Sequence, residues 1–199
     1  MDAIDQFLLS QVMMVRAKWE PLLTADLASV SGQCWSAMRR LLSEAQAKQL
    51  GGFEVGEFFD LLTRACAGAA KEGIARSISR LIEMVRLEGV ELGDALSLGG
   101  LAGNAIRPEH FHPDPAHALT QLAGSHVLEA AVTRSLADFL LRVRDELERT
   151  RAGQAEPAAL PQRLEALAAS WQSRLEAVGR TAVHAAFNRT KLAISSRFA

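Results

Sequence analysis

After Pro161, apolar side chains recur at Leu164, Leu167, Trp171, Leu175, Val178, Ala182 and Ala186. Steps of three and four residues are the signature of one buried face on an α-helix. No proline follows Pro161, so the spacing predicts one unbroken helix over residues 162 to about 196, about 50 Å long at 1.5 Å per residue. Helices of that length exceed the globular mean of about 11–12 residues. They suggest an elongated bundle, or helices that project into partners.

The same period runs through most of the chain. Ile4, Leu8, Val12, Val15 and Trp19 predict a first helix over 2–19, capped by Asp2 and stopped by Pro21. Leu27, Val30, Cys34, Met38, Leu41 and Ala45 predict a second over 24–50, ended by Gly51 and Gly52. The two would form an N-terminal helical hairpin within residues 1–50. A third helix is expected over 54–88, with Val55, Phe58, Leu62, Ala65, Ala69, Ile78, Leu81 and Val85 facing inward. Gly68 and Gly73 lie inside it, each costing about 1 kcal/mol against Ala. The small residues of 65–75 favour a close helix crossing there. Five glycines and three prolines make 89–116 a Gly/Pro/His-rich loop, with a short helix around 94–98. A fourth helix over 115–151 is expected to bury Leu119, Leu122, His126, Ala130, Thr133, Ala137, Leu140, Val143 or Arg144, and Leu147. Pro115 suits its first turn. Its charged end, 142–151, reads as a solvated face with i,i+4 pairs. The short linker 153–161 predicts antiparallel packing of the fourth and fifth helices.

The fold expected is therefore all-α, a single domain over 1–199 built as an elongated bundle of about five helices, three of them long. Abundant Ala and Leu, no Tyr and few β-branched runs agree with it. The net charge of −1 gives no global field for nucleic acid or an acidic membrane. Cys34 and Cys66 read as small buried hydrophobes in a reducing compartment. The acidic N-terminus lacks the positive region of a secretory signal, and no run approaches the roughly 18 apolar residues of a membrane span. A cytoplasmic location during assembly is expected, with the virion as the alternative.

Three constellations invite chemistry. The glycine-rich stretch 98–104 follows no strand and precedes no Gly-Lys-Ser/Thr, so a connector is expected rather than a phosphate cradle. Around it, His110, His112, Asp114 and His117 have residue types suited to Zn²⁺ or Ni²⁺. No i,i+4 helical pair fixes a third ligand, so a solvated loop is the expectation. A metal-dependent hydrolase built on these four residues is the enzymatic alternative. His126 is expected to be a satisfied core or interface histidine. No Gly-x-Ser-x-Gly elbow or cysteine-nucleophile signature occurs. No cofactor is expected beyond that divalent metal.

The last helix is the most informative. Arg180, His184 and Asn188 fall at i, i+4 and i+8 and share a face that Lys191 continues. From Arg174 onward five residues are basic and one is acidic, which suits a helix C-terminus and also a phosphate or acidic partner. His184 has no acidic neighbour at i±3 or i±4, so an orienting carboxylate would have to come from another helix. The string Arg180-Thr181, followed by Ala185-Ala186-Phe187-Asn188, resembles the Arg-Thr-Glu…Ala-Tyr-Asn helix of phage head morphogenesis proteins, the Mu F-like minor capsid family. Arg180, Thr181 and Asn188 match; Phe187 stands where an aromatic is usual; Ala182 replaces the usual Glu. The resemblance covers roughly 10 to 20 residues at the end of a helical region. It implies a low-copy particle protein at the portal vertex that assists head assembly or DNA delivery. The function expected is thus structural or assembly binding through helices, with Arg180, Thr181, His184, Asn188 and Lys191 as the contact residues. Partners would be proteins such as portal or other particle components, with nucleic acid as a further class through the basic C-terminal helix. A bacterial helical adaptor or regulatory domain is the alternative.

Overall fold

The structure, a computed structural model, describes residues 3–47, 55–96, 107, 110 and 112–196. Among these residues five α-helices carry the fold: α1 (Ala3–Ala47), α2 (Val55–Leu96), α3 (Pro115–Ala123), α4 (Ser125–Arg151) and α5 (Leu160–Ser195), with a 3₁₀ turn at Pro157–Ala159 before α5. Among the described residues there is no strand. The fold is an all-α bundle. Asp2, Gly51, Gly52, the 98–104 stretch and Arg197 lie outside the described residues.

The N-terminal hairpin does not form, because α1 runs straight through Pro21. Trp19 and Leu23 stay on one buried row, continued by Leu27, Val30, Cys34 and Met38. Pro21, two residues from Trp19, lies on the opposite, exposed side. The carbonyl of Ala17 that loses its i+4 donor therefore faces solvent, where water can satisfy it. Burial of a stripe on both sides of the proline outweighs the single lost bond.

A second correction concerns residues 89–93, expected as loop ahead of a separate short helix around 94–98. α2 continues to Leu96, with Gly89 and Leu92 buried. A third is the fourth helix, which is broken at Gly124. That residue adopts φ +67°, and its N–H donates to the carbonyls of Thr120 and Gln121. This left-handed end closes α3 and restarts the chain as α4 in a new register. The expected face His126, Ala130, Thr133 and Ala137 is exposed as a result. Leu128, Val132, Leu136 and Phe139 are buried instead, while Leu140, Val143 and Leu147 are buried as expected. Arg144 lies outside, 5.8 Å from the Phe59 ring centroid.

Adjacent pairs fix the topology. α1 packs on α2 and α5, α4 packs on α2 and α5, and α3 closes one end against α2 and α5. Trp19 and Lys18 meet Glu88, Asp26 pairs with Arg80, and Ser29 meets Arg76. As α1 advances, α2 recedes, so the two are antiparallel. Ser31 Oγ donates to the Ala168 carbonyl at 3.0 Å and His184 approaches Glu20, so α5 is antiparallel to α1. Trp171 meets Ser135, and Arg163 meets Glu146 17 residues before it, so α4 and α5 are antiparallel, as the short linker predicted. The four long helices make an up-down-up-down bundle.

Candidate partner-binding site

The crossing of α1 and α5 positions the site. Gly179 is buried, and a Cβ there would lie 3.3 Å from Thr24 Cγ2 and 3.4 Å from Thr24 Cα. A side chain at 179 would hold the helices apart, so this glycine lets α1 come close beside Arg180. The two helices then enclose a groove of about 580 Å³ whose walls include Met13, Arg16, Glu20, Pro21 and Thr24 from α1 and Arg180 from α5. Met13, Arg16, Glu20 and Thr24 follow one another by three or four positions, one face of the helix, with Pro21 beside them.

Within the groove the charges are unequally matched. Glu20 is 15% exposed and accepts from Arg16 Nε at 2.8 Å. His184 Nε2 lies 3.6 Å from the same Oε1 atom. The carboxylate that α5 itself could not offer His184 thus comes from α1. The Thr24 hydroxyl donates to the carbonyls of Glu20 and Pro21, which engages the one hydroxyl beside this pair with backbone. Arg180 is exposed, and among the described residues it has no hydrogen-bond or ion-pair partner. Met13, 65% exposed, forms the apolar rim, with Leu9 and Met14 exposed further along α1.

The other expected contact residues divide. Asn188 is exposed and Lys191 half-buried. Thr181 donates to the Ala177 carbonyl at 2.9 Å and borders a different hollow, between α4 and α5 and walled by Val127, Ala131 and Ala185. Arg189, one of the basic residues of the C-terminal helix, is used inside the fold. Its Nε donates to the Leu122 carbonyl at 2.9 Å and its guanidinium to the Ala123 carbonyl at 3.1 Å. Burial pushes its pKa down. It holds the C-terminal end of α3 against α5, where cations suit the helix dipole.

His110, His112, Asp114 and His117 are exposed and serve a helix start. Asp114 Oδ1 accepts from the backbone N–H groups of Ala116 at 3.0 Å and His117 at 3.3 Å, the N-cap of α3. The Asp114 N–H donates to His112 Nδ1, and the Arg107 N–H to His110 Nδ1. The His112 and His117 rings lie 4.6 Å apart by centroid. Among the described residues no three His, Cys, Asp or Glu side chains converge on a metal-sized position. The four proposed ligands are therefore not assembled into a site. His126, expected in the core or an interface, is exposed on α4.

Cys34 and Cys66 are free and buried, as expected. The Cys34 thiol is held well above its usual pKa, first by its hydrogen bond with the Cys66 sulfur and then by burial. Among the described residues no helix is long and apolar enough to cross a membrane.

Glu20, Arg16 and Met13 are the site residues that the sequence did not single out. The Arg16–Glu20 spacing was a readable i,i+4 pair, but an expected helix end at Pro21 separated it from α5. Compared with family models, curated proteins and solved structures, the chain matches none.

Proposed function

We propose that the protein acts by binding, as a helical structural or assembly protein, with the α1/α5 groove as its contact surface. The observation that carries this reading is Arg180, an exposed guanidinium unpaired among the described residues, beside the exposed Met13. A planar fork of donors next to an uncovered apolar side chain suits a protein surface better than solvent. The narrower form of the reading is a minor head or portal-associated protein of a phage particle. It rests on the Arg180-Thr181 and Asn188 string and its resemblance to the Mu F-like family. An adaptor outside any particle would use the same groove.

The test is Arg180→Ala in two measurements. Chemical unfolding of the isolated variant should stay within about 0.5 kcal/mol of the parent, because an exposed helical Arg contributes little to stability. Co-purification with the products of neighbouring genes should fall. A strong shift in unfolding with association untouched would make Arg180 a structural tie and remove the reading. Purified particles that retain the chain distinguish the phage form from the adaptor form.

A further inference from the structure

We infer that the α1/α5 groove takes an acidic amphipathic helix of a protein partner, with a carboxylate on Arg180 and apolar side chains on Met13 and Leu9. This rests on the contact-surface reading above and names the chemistry of the partner. Leu9, Met13, Arg16 and Glu20 lie on one face of α1 and span about 16 Å, three turns of helix. The apolar half of that row is uncovered, with Leu9 51% and Met13 65% exposed. The charged half ends at α5. There Arg16 is matched by Glu20, and Arg180 is unmatched among the described residues. An incoming helix with apolar residues four apart, and Glu or Asp one turn beyond, covers the first half and pairs the second. Its carboxylate accepts two N–H bonds from one guanidinium, the geometry in which Arg exceeds Lys.

Charge complementarity also selects against a polyphosphate. Nucleic acid binds through many cations along its backbone. Among the described residues this groove offers one unmatched cation, places the Glu20 carboxylate beside it, and has Met13, Ala17 and Pro21 as much of its wall. A helix with a single carboxylate on its docking face avoids Glu20, whereas a continuous phosphate chain meets it.

The probe is a blocked, alanine-based helical peptide of about 16 residues. It carries two Leu four positions apart and Glu one turn beyond; a second peptide has Gln for Glu. The full chain, labelled with ¹³C at the methionine methyls, is titrated with each. Met13 reports on the groove, and the buried Met38 and Met84 report on the core. The Glu peptide should move the Met13 signal with a midpoint about fivefold or more below that of the Gln peptide. Arg180→Gln should abolish that difference while Met38 and Met84 stay in place. Equal midpoints would overturn the carboxylate assignment and leave the groove as a contact surface. No response of Met13 to either peptide, with co-purification intact, would move the contact surface elsewhere. A single-stranded oligonucleotide that moves Met13 at lower concentration than the Glu peptide would overturn the proposal in favour of nucleic acid. Self-association abolished by Met13→Ser would overturn it in favour of a second copy.

Discussion

At the scale of single residues, the least expected group is Glu88. It is 5% exposed, yet it accepts from the Trp19 indole and, at 2.9 Å, from Lys18 Nζ. A buried carboxylate is tolerated only where hydrogen bonds and a counter-charge replace water. The Lys18 pKa is raised, first by its hydrogen bond to Glu88; burial opposes this, and the charges of Glu88, Glu91 and Glu83 raise it further. A cation whose pKa is higher folded than unfolded stabilises the fold fully below its unfolded pKa. That contribution is lost as pH rises through the folded value, here above 10.5. Lys18 is half exposed, so the effect is about 1 kcal/mol or less. Urea unfolding of the parent and of Lys18→Met should therefore differ by that amount from pH 7 to 10. The two curves should converge above it. A difference that persists unchanged above that range would assign the loss to lysine packing rather than to charge.

At the scale of elements, the α1/α2 pair turns on one glycine. A Cβ on Gly73 would collide with Val30 Cγ2, and Val30 is fully buried. Val is stiff about χ1 and cannot swing aside. Gly73→Ala should cost about 1–3 kcal/mol in chemical unfolding as the helices are forced apart. Gly68, five residues earlier on the same helix, is exposed, and a Cβ added there would meet nothing within 4 Å. Gly68→Ala should gain about 0.5–1 kcal/mol from helix propensity. Opposite signs from the two substitutions would separate the crossing from propensity. This crossing was legible in the sequence, because small residues clustered at 65–75 inside an apolar period. Pro21 was read as a stop and Gly124 was passed over inside one expected helix, and one reason covers both. A proline or glycine signals a local preference, and whether the helix obeys depends on tertiary burial. At Pro21 the buried row Trp19–Leu23 overrides the break; at Gly124 the packed Arg189 guanidinium makes the break permanent. The His184–Glu20 approach was illegible for the same reason, since it joins residues 164 positions apart across a crossing that local spacing does not encode.

For the whole molecule, α5 contacts each of the other four helices, so damage to its buried row should be felt everywhere. Trp171 is its largest buried side chain, 2% exposed. Its ring stacks on Phe139 of α4 with centroids 4.4 Å apart, and its Nε1 donates to Ser135 Oγ at 3.0 Å. An indole here supplies apolar area, an aromatic pair and a satisfied donor at the α4/α5 seam. Along the same helix, Leu164, Ala168, Leu175, Gly179 and Val183 continue the buried row, with the Ala168 carbonyl and Gly179 meeting Ser31 and Thr24 of α1. Truncation cannot be repaired by a small shift of α4 alone, because α4 also packs on α2. Trp171→Ala should cost about 3–5 kcal/mol. The loss should register as one transition, with helix content and the fluorescence of Trp19 and Trp35 lost together, since α1 and α4 share α5 as their common neighbour. Two separated transitions would show that α4 leaves the bundle independently of α1, and the molecule would then be a hairpin of α1 and α5 with detachable partners rather than one cooperative unit.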